Sequence, residues 1–195
     1  MKWILLFLLL PLTTLSQCIL DDNVTVDVPP IGGVYQPGQV LTFTYTINDY
    51  QGLSTNWLHG ISLILGSGYD VATLAPFGLP TNNSAFGQWL WVNSITSSLS
   101  GFTVNNPGWF YDNGLGGPVF LDGDPGNNWG DGMLGPWTFQ WTVTVGQCPP
   151  NIDGDDLSII IENWADGETG SWINFDCQND PNETFNATLE CCPIV

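Results

Sequence analysis

Residues 40–48, Val-Leu-Thr-Phe-Thr-Tyr-Thr-Ile-Asn, alternate between apolar and polar side chains. Because successive side chains of a β-strand point to opposite faces, this period of two predicts a strand with one buried apolar face and one Thr-rich face. Residues 137–145, Trp-Thr-Phe-Gln-Trp-Thr-Val-Thr-Val, repeat the pattern. Half-buried strands of this kind are typical of antiparallel sheets, so the two stretches predict an all-β fold.

Weaker strand patterns occur along the rest of the chain, separated by joints rich in Gly, Asn and Pro. The chain holds 23 Gly and 14 Pro, and this spacing of short strands predicts one antiparallel β-sandwich over residues 17–195, Ig-like or jelly-roll-like, with little or no helix. A disulfide-stapled subregion at residues 148–195 is the alternative for the C-terminal part. The weaker strands are predicted at Val24–Val28, Leu58–Leu65, Gln88–Ile95, Trp109–Tyr111, Val119–Leu121, Leu157–Trp164, Ser171–Phe175 and Thr184–Cys191, with a hairpin turn at 165–170.

The charge balance restricts the function. Among 195 residues, 43% are apolar, which is enough for a core, but 19 acids stand against one Lys and no Arg, a net charge of −18. Binding to nucleic acids depends on Lys and Arg that displace counterions from phosphates. The composition therefore excludes nucleic acid as a partner and argues against anionic membrane surfaces.

The N-terminus predicts export. Lys2 precedes an apolar run over residues 3–12 and a small-residue exit at 14–16, the pattern of a secretory signal peptide spanning residues 1–16. The run is too short for a membrane span, and no later window reaches about 18 apolar residues. We expect a secreted or cell-surface protein; a lipoprotein anchored through Cys18, or a periplasmic protein, is the alternative.

Five cysteines are consistent with an oxidising compartment. None of them has Cys-x-x-Cys spacing, so disulfides are favoured over a zinc site. Spacing does not fix the pairing. We expect Cys148 and Cys177 to bond to Cys191, Cys192 or Cys18, with one thiol left over.

Several stretches resemble a module of secreted surface proteins of Bacteroidota, in which similar domains accompany adhesin-like and gliding-motility-associated repeats of proteins exported by type IX secretion. The stretches are residues 107–111, 122–132, 136–145 and 166–172. The resemblance implies a β-sandwich at the cell surface and transfers no catalytic residue.

Two acidic stretches suggest calcium as a cofactor. Ca²⁺ takes about six to eight oxygen ligands, which flexible Gly-rich loops can bring together. Asp and Asn are also ordinary turn formers, which is the alternative. The predicted ligands are Asp122, Asp124, Asn127, Asn128 and Asp131 in the first stretch and Asp153, Asp155 and Asp156 in the second.

Three tryptophans suggest a ligand-binding surface. Trp57, Trp109 and Trp129 lie in stretches rich in Gly and Asn, where a large side chain is harder to bury, and flat indole faces stack on sugar rings. Packing over the end of the sandwich is the alternative. If these side chains are exposed, the sequence predicts a carbohydrate-binding module.

The sequence offers few candidate catalytic residues. His59 is the one His, and the sequence predicts that it lies at a strand edge with a solvent or backbone partner. A glycoside hydrolase would need two carboxylates in one cleft, and the glutamates are Glu162, Glu168, Glu183 and Glu190. We expect a non-catalytic, calcium-stabilised module acting in adhesion or surface assembly, whose partner is a glycan, a surface protein or another copy of itself.

Overall fold

Two antiparallel sheets contain most of the strand residues that the structure describes. The structure, a computed structural model, describes residues 18–52, 57–82, 84–114, 121–148, 155–166 and 182–190. Within these ranges the strands are β1 (Ile19–Val26), β2 (Val34–Tyr35), β3 (Val40–Tyr50), β4 (Trp57–Leu65), β5 (Tyr69–Pro76), β6 (Gly87–Val92), β7 (Ile95–Thr96), β8 (Thr103–Val104), β9 (Gly108–Asn113), β10 (Trp137–Val145), β11 (Ile159–Asp166), β12 (Glu183–Phe185) and β13 (Thr188–Leu189). The helical segment in the same ranges is a single 3₁₀ turn, Pro125–Asn127.

The first sheet has four strands in the order β1-β3-β10-β5. The two strongly alternating stretches lie side by side at its centre, with Trp137 opposite Ile47 and Trp141 opposite Phe43. Their apolar positions from Leu41 to Ile47 and from Trp137 to Val145 are buried and the intervening Thr positions are half-buried, as the alternation predicts; Val40, on the Thr-rich face, is exposed. The all-β, antiparallel prediction is confirmed for this sheet.

The second sheet has five strands in the order β12-β11-β4-β9-β6. Its pairings are antiparallel, and β4 lies at the centre between β11 and β9. The weaker sequence patterns predicted β4, β6, β9 and β11 to within a few residues. They did so because each of these strands carries a run of aromatic or β-branched residues.

The two sheets pack face to face around one core. Rings from opposite sheets meet directly: the centroids of Trp89 and Phe139 lie 4.9 Å apart in an edge-to-face contact. Trp109 also donates its indole N–H to the Gln140 carbonyl across the interface, at 3.2 Å. Each such side chain contributes about 1.5–3 kcal/mol of apolar burial. The sandwich-like arrangement therefore follows from the buried faces of both sheets; the finer choice between Ig-like and jelly-roll-like stays a prediction.

Strand β5 was not predicted from the sequence. It pairs with β10 on one side only and is interrupted by a bulge. Most of its residues are exposed or half-buried, so the strand has no apolar periodicity to detect. Its position is set by the ladder with β10 rather than by its own side chains.

A second, smaller core lies on the outer face of the five-stranded sheet. Phe110 projects there and packs with Ile95 and Val104 of the β7–β8 hairpin. The 3₁₀ turn covers the same face, because Ser98 donates its backbone N–H to the Gly126 carbonyl at 2.9 Å. The central strands β4 and β9 are thus covered on both faces over part of their length.

Several predictions fall outside the described residues. They are the signal peptide at 1–16, the strand Ser171–Phe175, most of the strand Val119–Leu121 and most of the hairpin turn 165–170, together with Cys177, Cys191 and Cys192. The two described cysteines, Cys18 and Cys148, are both disulfide-bonded.

Candidate functional site

One end of the sandwich carries an aromatic pocket of about 270 Å³. Strand β4 begins there, β9 ends there, and β6 starts beside the end of β9, since Gly87 pairs with Asn113. The segments before β6 and before β10 complete the wall. We call this cavity the aromatic pocket; its lining residues are Trp57, Ser84, Phe86, Asn113, Trp129, Gly132 and Met133.

Two of the three tryptophans singled out from the sequence meet in this pocket. The ring centroids of Trp57 and Trp129 lie 6.0 Å apart at an angle of 59°. Both side chains are half-buried. Phe86 stands beside them with 55% of its surface exposed. These rings leave aromatic surface accessible at the cavity.

Trp109 has a different role from the one expected. It is only 2% exposed and packs edge-to-face on Trp91, with 5.5 Å between ring centroids. Its indole N–H is used by the Gln140 carbonyl. Because it lies within β9 rather than on a loop, the fold places its ring in the core, where no ligand can reach it.

Asp131 lies behind the pocket wall and is fully buried. Its carboxylate accepts the backbone N–H of Ser84 (3.2 and 3.3 Å), the backbone N–H of Met133 (3.1 Å) and the indole N–H of Trp137 (3.1 Å). Burial raises the pKa of this carboxyl, while the three donors oppose the rise. Both oxygens are occupied by donors, so Asp131 ties the pocket wall to the core.

Asp112 is a second fully buried carboxylate, and sequence inspection did not single it out. One of its oxygens accepts the amide N–H of Asn128 at 2.7 Å; the other accepts the Gln88 side chain at 3.2 Å and the Gly123 backbone N–H at 3.0 Å. The signal was present in residues 108–113, Gly-Trp-Phe-Tyr-Asp-Asn, where one charge interrupts an aromatic run. A charge within a buried strand requires partners.

The remaining residues of the first acidic stretch shape its turn. Asp124 caps the 3₁₀ segment by accepting the Gly126 N–H at 2.9 Å. Asp122 accepts the Asp124 N–H and the Asn127 amide, each at 3.0 Å, and these bonds lower the pKa of its exposed carboxyl. Such bonds are those of ordinary turn-forming Asp and Asn residues.

The described acids do not form a recognisable metal cluster. In the part of the chain that the structure describes, no group of three or more His, Cys, Asp or Glu side chains is placed to hold a metal ion. Two amide oxygens in the loop, Asn127 Oδ1 and Asn128 Oδ1, are nevertheless buried without a hydrogen-bond partner. Amide oxygens of this kind are suitable calcium ligands.

The second acidic stretch lies at the other end of the sandwich. Asp153 is outside the described residues, and Asp155 and Asp156 are exposed. Asp156 accepts the backbone N–H and the hydroxyl of Ser158, at 2.8 and 3.0 Å, just before β11. Because the start of β11 pairs with the end of β4, the fold does not join this stretch to the aromatic pocket.

His59 is buried beneath the 3₁₀ turn. Its Nε2 lies 2.9 Å from the Pro125 carbonyl oxygen. Because a carbonyl only accepts, Nε2 carries the proton in this contact. The backbone partner expected from the sequence is confirmed, although the residue is buried rather than at an exposed edge.

The described glutamates lie in three different places. Glu162 accepts the Ser62 hydroxyl at 2.9 Å on the outer face of the five-stranded sheet. Glu183 pairs with Ile161, on the opposite face from Glu162, and burial together with the nearby Asp22 raises its pKa. Glu190 accepts the Gln36 amide at 2.7 Å. Glu168 is outside the described residues.

Comparisons with known proteins give no family. No family model matches the chain, and no curated protein matches it. Among solved structures, it is similar to the cohesin module of a family 33 glycoside hydrolase from Clostridium perfringens, at 8% identity and a TM-score of 0.43, over 89% of this chain and 98% of that module. It is also similar to the pilus 2b backbone protein of group B streptococcus, at 14% identity and a TM-score of 0.34, over 84% of this chain and 56% of that protein.

None of the described ranges contains a helix with the length and apolar character needed to cross a bilayer.

Proposed function

We propose that the protein is a non-catalytic, exported surface module that binds its ligand in the aromatic pocket and acts in adhesion or surface assembly. The observation that supports this most directly is the placement of Trp57, Trp129 and Phe86 around one cavity at an open end of the sandwich. Large aromatic side chains left accessible on a folded protein are typical of binding sites, because their burial against a partner is favourable.

The chemistry of the wall favours binding over catalysis. None of the described side chains that line the pocket is ionisable, and the polar groups of these side chains are a hydroxyl, an amide and two indole N–H groups. General acid–base catalysis requires a titratable group within hydrogen-bond reach of the substrate. A mostly apolar wall with a few fixed polar groups is the usual form of a ligand site.

A carbohydrate-binding module is the second candidate. Trp57 and Trp129 offer indole surface for a sugar ring. Ser84 and Asn113 line the same cavity, where the Ser84 hydroxyl bonds to the Tyr111 hydroxyl and the Asn113 amide donates to the Gly130 carbonyl at 2.9 Å. The net charge of −18 favours neutral over uronic or sulfated sugars, because anionic chains would be repelled.

Export and calcium belong to the same proposal. A cleaved signal over residues 1–16 would deliver the chain to an oxidising compartment, as in the Bacteroidota surface proteins it resembles. Calcium bound in the 122–128 stretch would neutralise part of the acidic surface and would permit self-association, since like charges would otherwise oppose it.

The test compares matched variants in a ligand screen. Trp129→Ala and Phe86→Ala should abolish or weaken binding to immobilised surface glycans, purified cell-surface fractions and small-molecule panels, measured by biolayer interferometry and tryptophan fluorescence. Phe77→Ala is the control, because Phe77 is similarly exposed, at 50% against 55% for Phe86, and does not line the pocket. Unchanged binding by both pocket variants would disprove the proposal.

A further inference from the structure

The aromatic pocket combines aromatic surface with unbalanced negative charge. Trp57 and Trp129 line it with their ring planes inclined to each other at 59°, and Phe86 and Met133 complete the wall. A cation within about 6 Å of a ring centroid is attracted by the negative face of the ring, most strongly for Trp. Several rings around one small cavity make the attraction additive.

The carboxylates behind the pocket wall carry negative charge, which also attracts a cation. The backbone N–H groups of Ser84 and Met133, two of the lining residues, donate to the buried carboxylate of Asp131. Asp112, also fully buried, directly precedes the lining residue Asn113. The donors to these carboxylates are uncharged N–H groups. They stabilise the carboxylates, but they do not neutralise the negative charge.

No side chain supplies the missing positive charge. The sequence has one Lys, at position 2, and no Arg. A buried carboxylate normally requires either a cationic partner or several donors. Here the carboxylates have N–H donors but no Lys or Arg partner. Their negative charge is therefore not neutralised, and it would attract a positively charged ligand in the pocket.

The size of the cavity limits the ligand. Pockets for drug-sized molecules measure about 300–1,000 Å³, and this one has about 270 Å³. A trimethylammonium group on a short chain is compact, weakly hydrated and apolar on its surface. It therefore fits an aromatic wall better than a strongly hydrated primary amine does.

We infer that the aromatic pocket binds a small organic cation, an alkylated ammonium group such as that of choline, held by Trp57, Trp129 and Phe86 in front of the buried carboxylate of Asp131. This inference rests on the proposed function, because it names the ligand class of the same pocket. Ammonium groups that carry an adjacent phosphate are disfavoured, since the phosphate would meet the acidic surface.

The experiment uses a cation and its neutral isostere. The oxidised chain without its signal is titrated at neutral pH with choline and with 3,3-dimethylbutan-1-ol, in which carbon replaces the ammonium nitrogen. Calorimetry and tryptophan fluorescence give the two dissociation constants. We expect choline to bind roughly tenfold more tightly, and its affinity to fall as salt is raised.

Variants locate the site. Trp129→Ala and Phe86→Ala should reduce choline affinity roughly tenfold or more, whereas Phe77→Ala should leave it unchanged. Asp131→Asn is omitted because its carboxylate holds the wall in place; the salt dependence tests the charge instead. Phosphatidylcholine vesicles and a Lys-rich peptide form two further arms, and binding to either in preference to choline would contradict the inference.

The outcomes separate the inference from the proposed function. The inference of an organic cation would be wrong if choline and the neutral isostere bound with equal affinity. It would also be wrong if the pocket bound a neutral glycan and not choline. Either result would leave the proposed binding module intact. Absence of any pocket-dependent ligand would overturn both.

Discussion

At the scale of single residues, two buried acids depend on hydrogen bonds to their carboxylates. Asp131 satisfies its carboxylate with two backbone N–H groups and an indole, and Asp112 does so with two side-chain amides and a backbone N–H. Hydrogen bonds to charged groups contribute more than neutral ones, about 1.5–3 kcal/mol each. These bonds offset the loss of hydration and hold the pocket end together.

The stability should depend on pH in an unusual direction. The pKa of Asp131 and that of Glu183 are raised by burial. A group whose folded pKa is raised binds more protons in the native state, so the free energy of unfolding increases as pH falls from neutral through the folded pKa. Asp122, whose pKa is lowered, stabilises the fold above its ordinary value of 3.8 and loses that contribution below it.

We therefore expect the thermal midpoint to rise as the pH falls from neutral toward the ordinary carboxyl pKa values of 3.8 for Asp131 and 4.5 for Glu183, and to lose the contribution of Asp122 as the pH falls below 3.8. A change of about 1 kcal/mol corresponds to about 2–4 °C in a domain of this size. Glu183→Gln should reduce the rise, and Asp49→Asn, at an exposed position, should not. A midpoint that is highest at pH 7 to 8 would contradict this sign.

At the level of elements, the 3₁₀ turn is fixed against the β7–β8 hairpin by close backbone packing. A Cβ added at Gly126 would lie 2.3 Å from the Thr96 carbonyl oxygen, whereas one added at Gly132 would make ordinary contacts of 3.6–3.8 Å with the Trp57 ring. The first contact involves backbone on both sides and cannot be relieved by a rotamer change.

Gly126→Ala should therefore lower the free energy of unfolding by about 2 kcal/mol or more, and Gly132→Ala should change it by about 0.5 kcal/mol or less. Urea denaturation followed by tryptophan fluorescence measures both. Equal effects of the two substitutions would show that the turn is not docked on the hairpin.

Calcium binding by the 122–128 stretch is a prediction at the same scale. We expect millimolar Ca²⁺ to raise the thermal midpoint by several degrees over EDTA, because a ligand that binds the native state stabilises it by mass action. Asp122→Ala and Asp124→Ala should remove the effect, and Mg²⁺ should not reproduce it. No shift would mean that these acids act as turn formers and hydrogen-bond acceptors, and the proposed pocket would stand without a metal.

Across the whole molecule, the two described cysteines lie at opposite ends of the sandwich. Cys18 lies beside the end of β3, because its carbonyl accepts the Gln51 N–H. Cys148 lies near the start of β3, because it follows Val145, whose N–H donates to the Gln39 carbonyl. The two cysteines therefore lie at opposite ends of an 11-residue strand, about 30 Å apart. A disulfide requires Cα atoms within about 7 Å.

Since both are disulfide-bonded, we expect Cys18 and Cys148 to be joined to two different cysteines among Cys177, Cys191 and Cys192, leaving one thiol. Peptide mapping by mass spectrometry under non-reducing conditions tests this, with thiol alkylation before digestion to count the free cysteine. A peptide linking Cys18 to Cys148 would contradict the arrangement.

Local alternation determined the fold class from the sequence. Strands β3 and β10 were predicted almost to the residue, because a strand with one buried face repeats every two residues and the repeat is visible without any neighbour. Strand β5 and the short strands lacked this signal, since their pairing depends on partners distant in the chain. Composition also fixed the acidic character, on which the prediction of no nucleic-acid partner rests.

Only the tertiary structure decided which acids and which tryptophans form a site. Trp57, Trp109 and Trp129 occur in similar Gly- and Asn-rich surroundings, yet the fold buries one in the core and brings the other two together with Phe86 in one cavity. Asp131 and Asp122 likewise belong to one stretch, but one is buried behind the pocket and the other is exposed. The pocket is assembled from four segments separated in sequence, and such a juxtaposition is set by the pairing of strands and the packing of sheets, which no local pattern encodes.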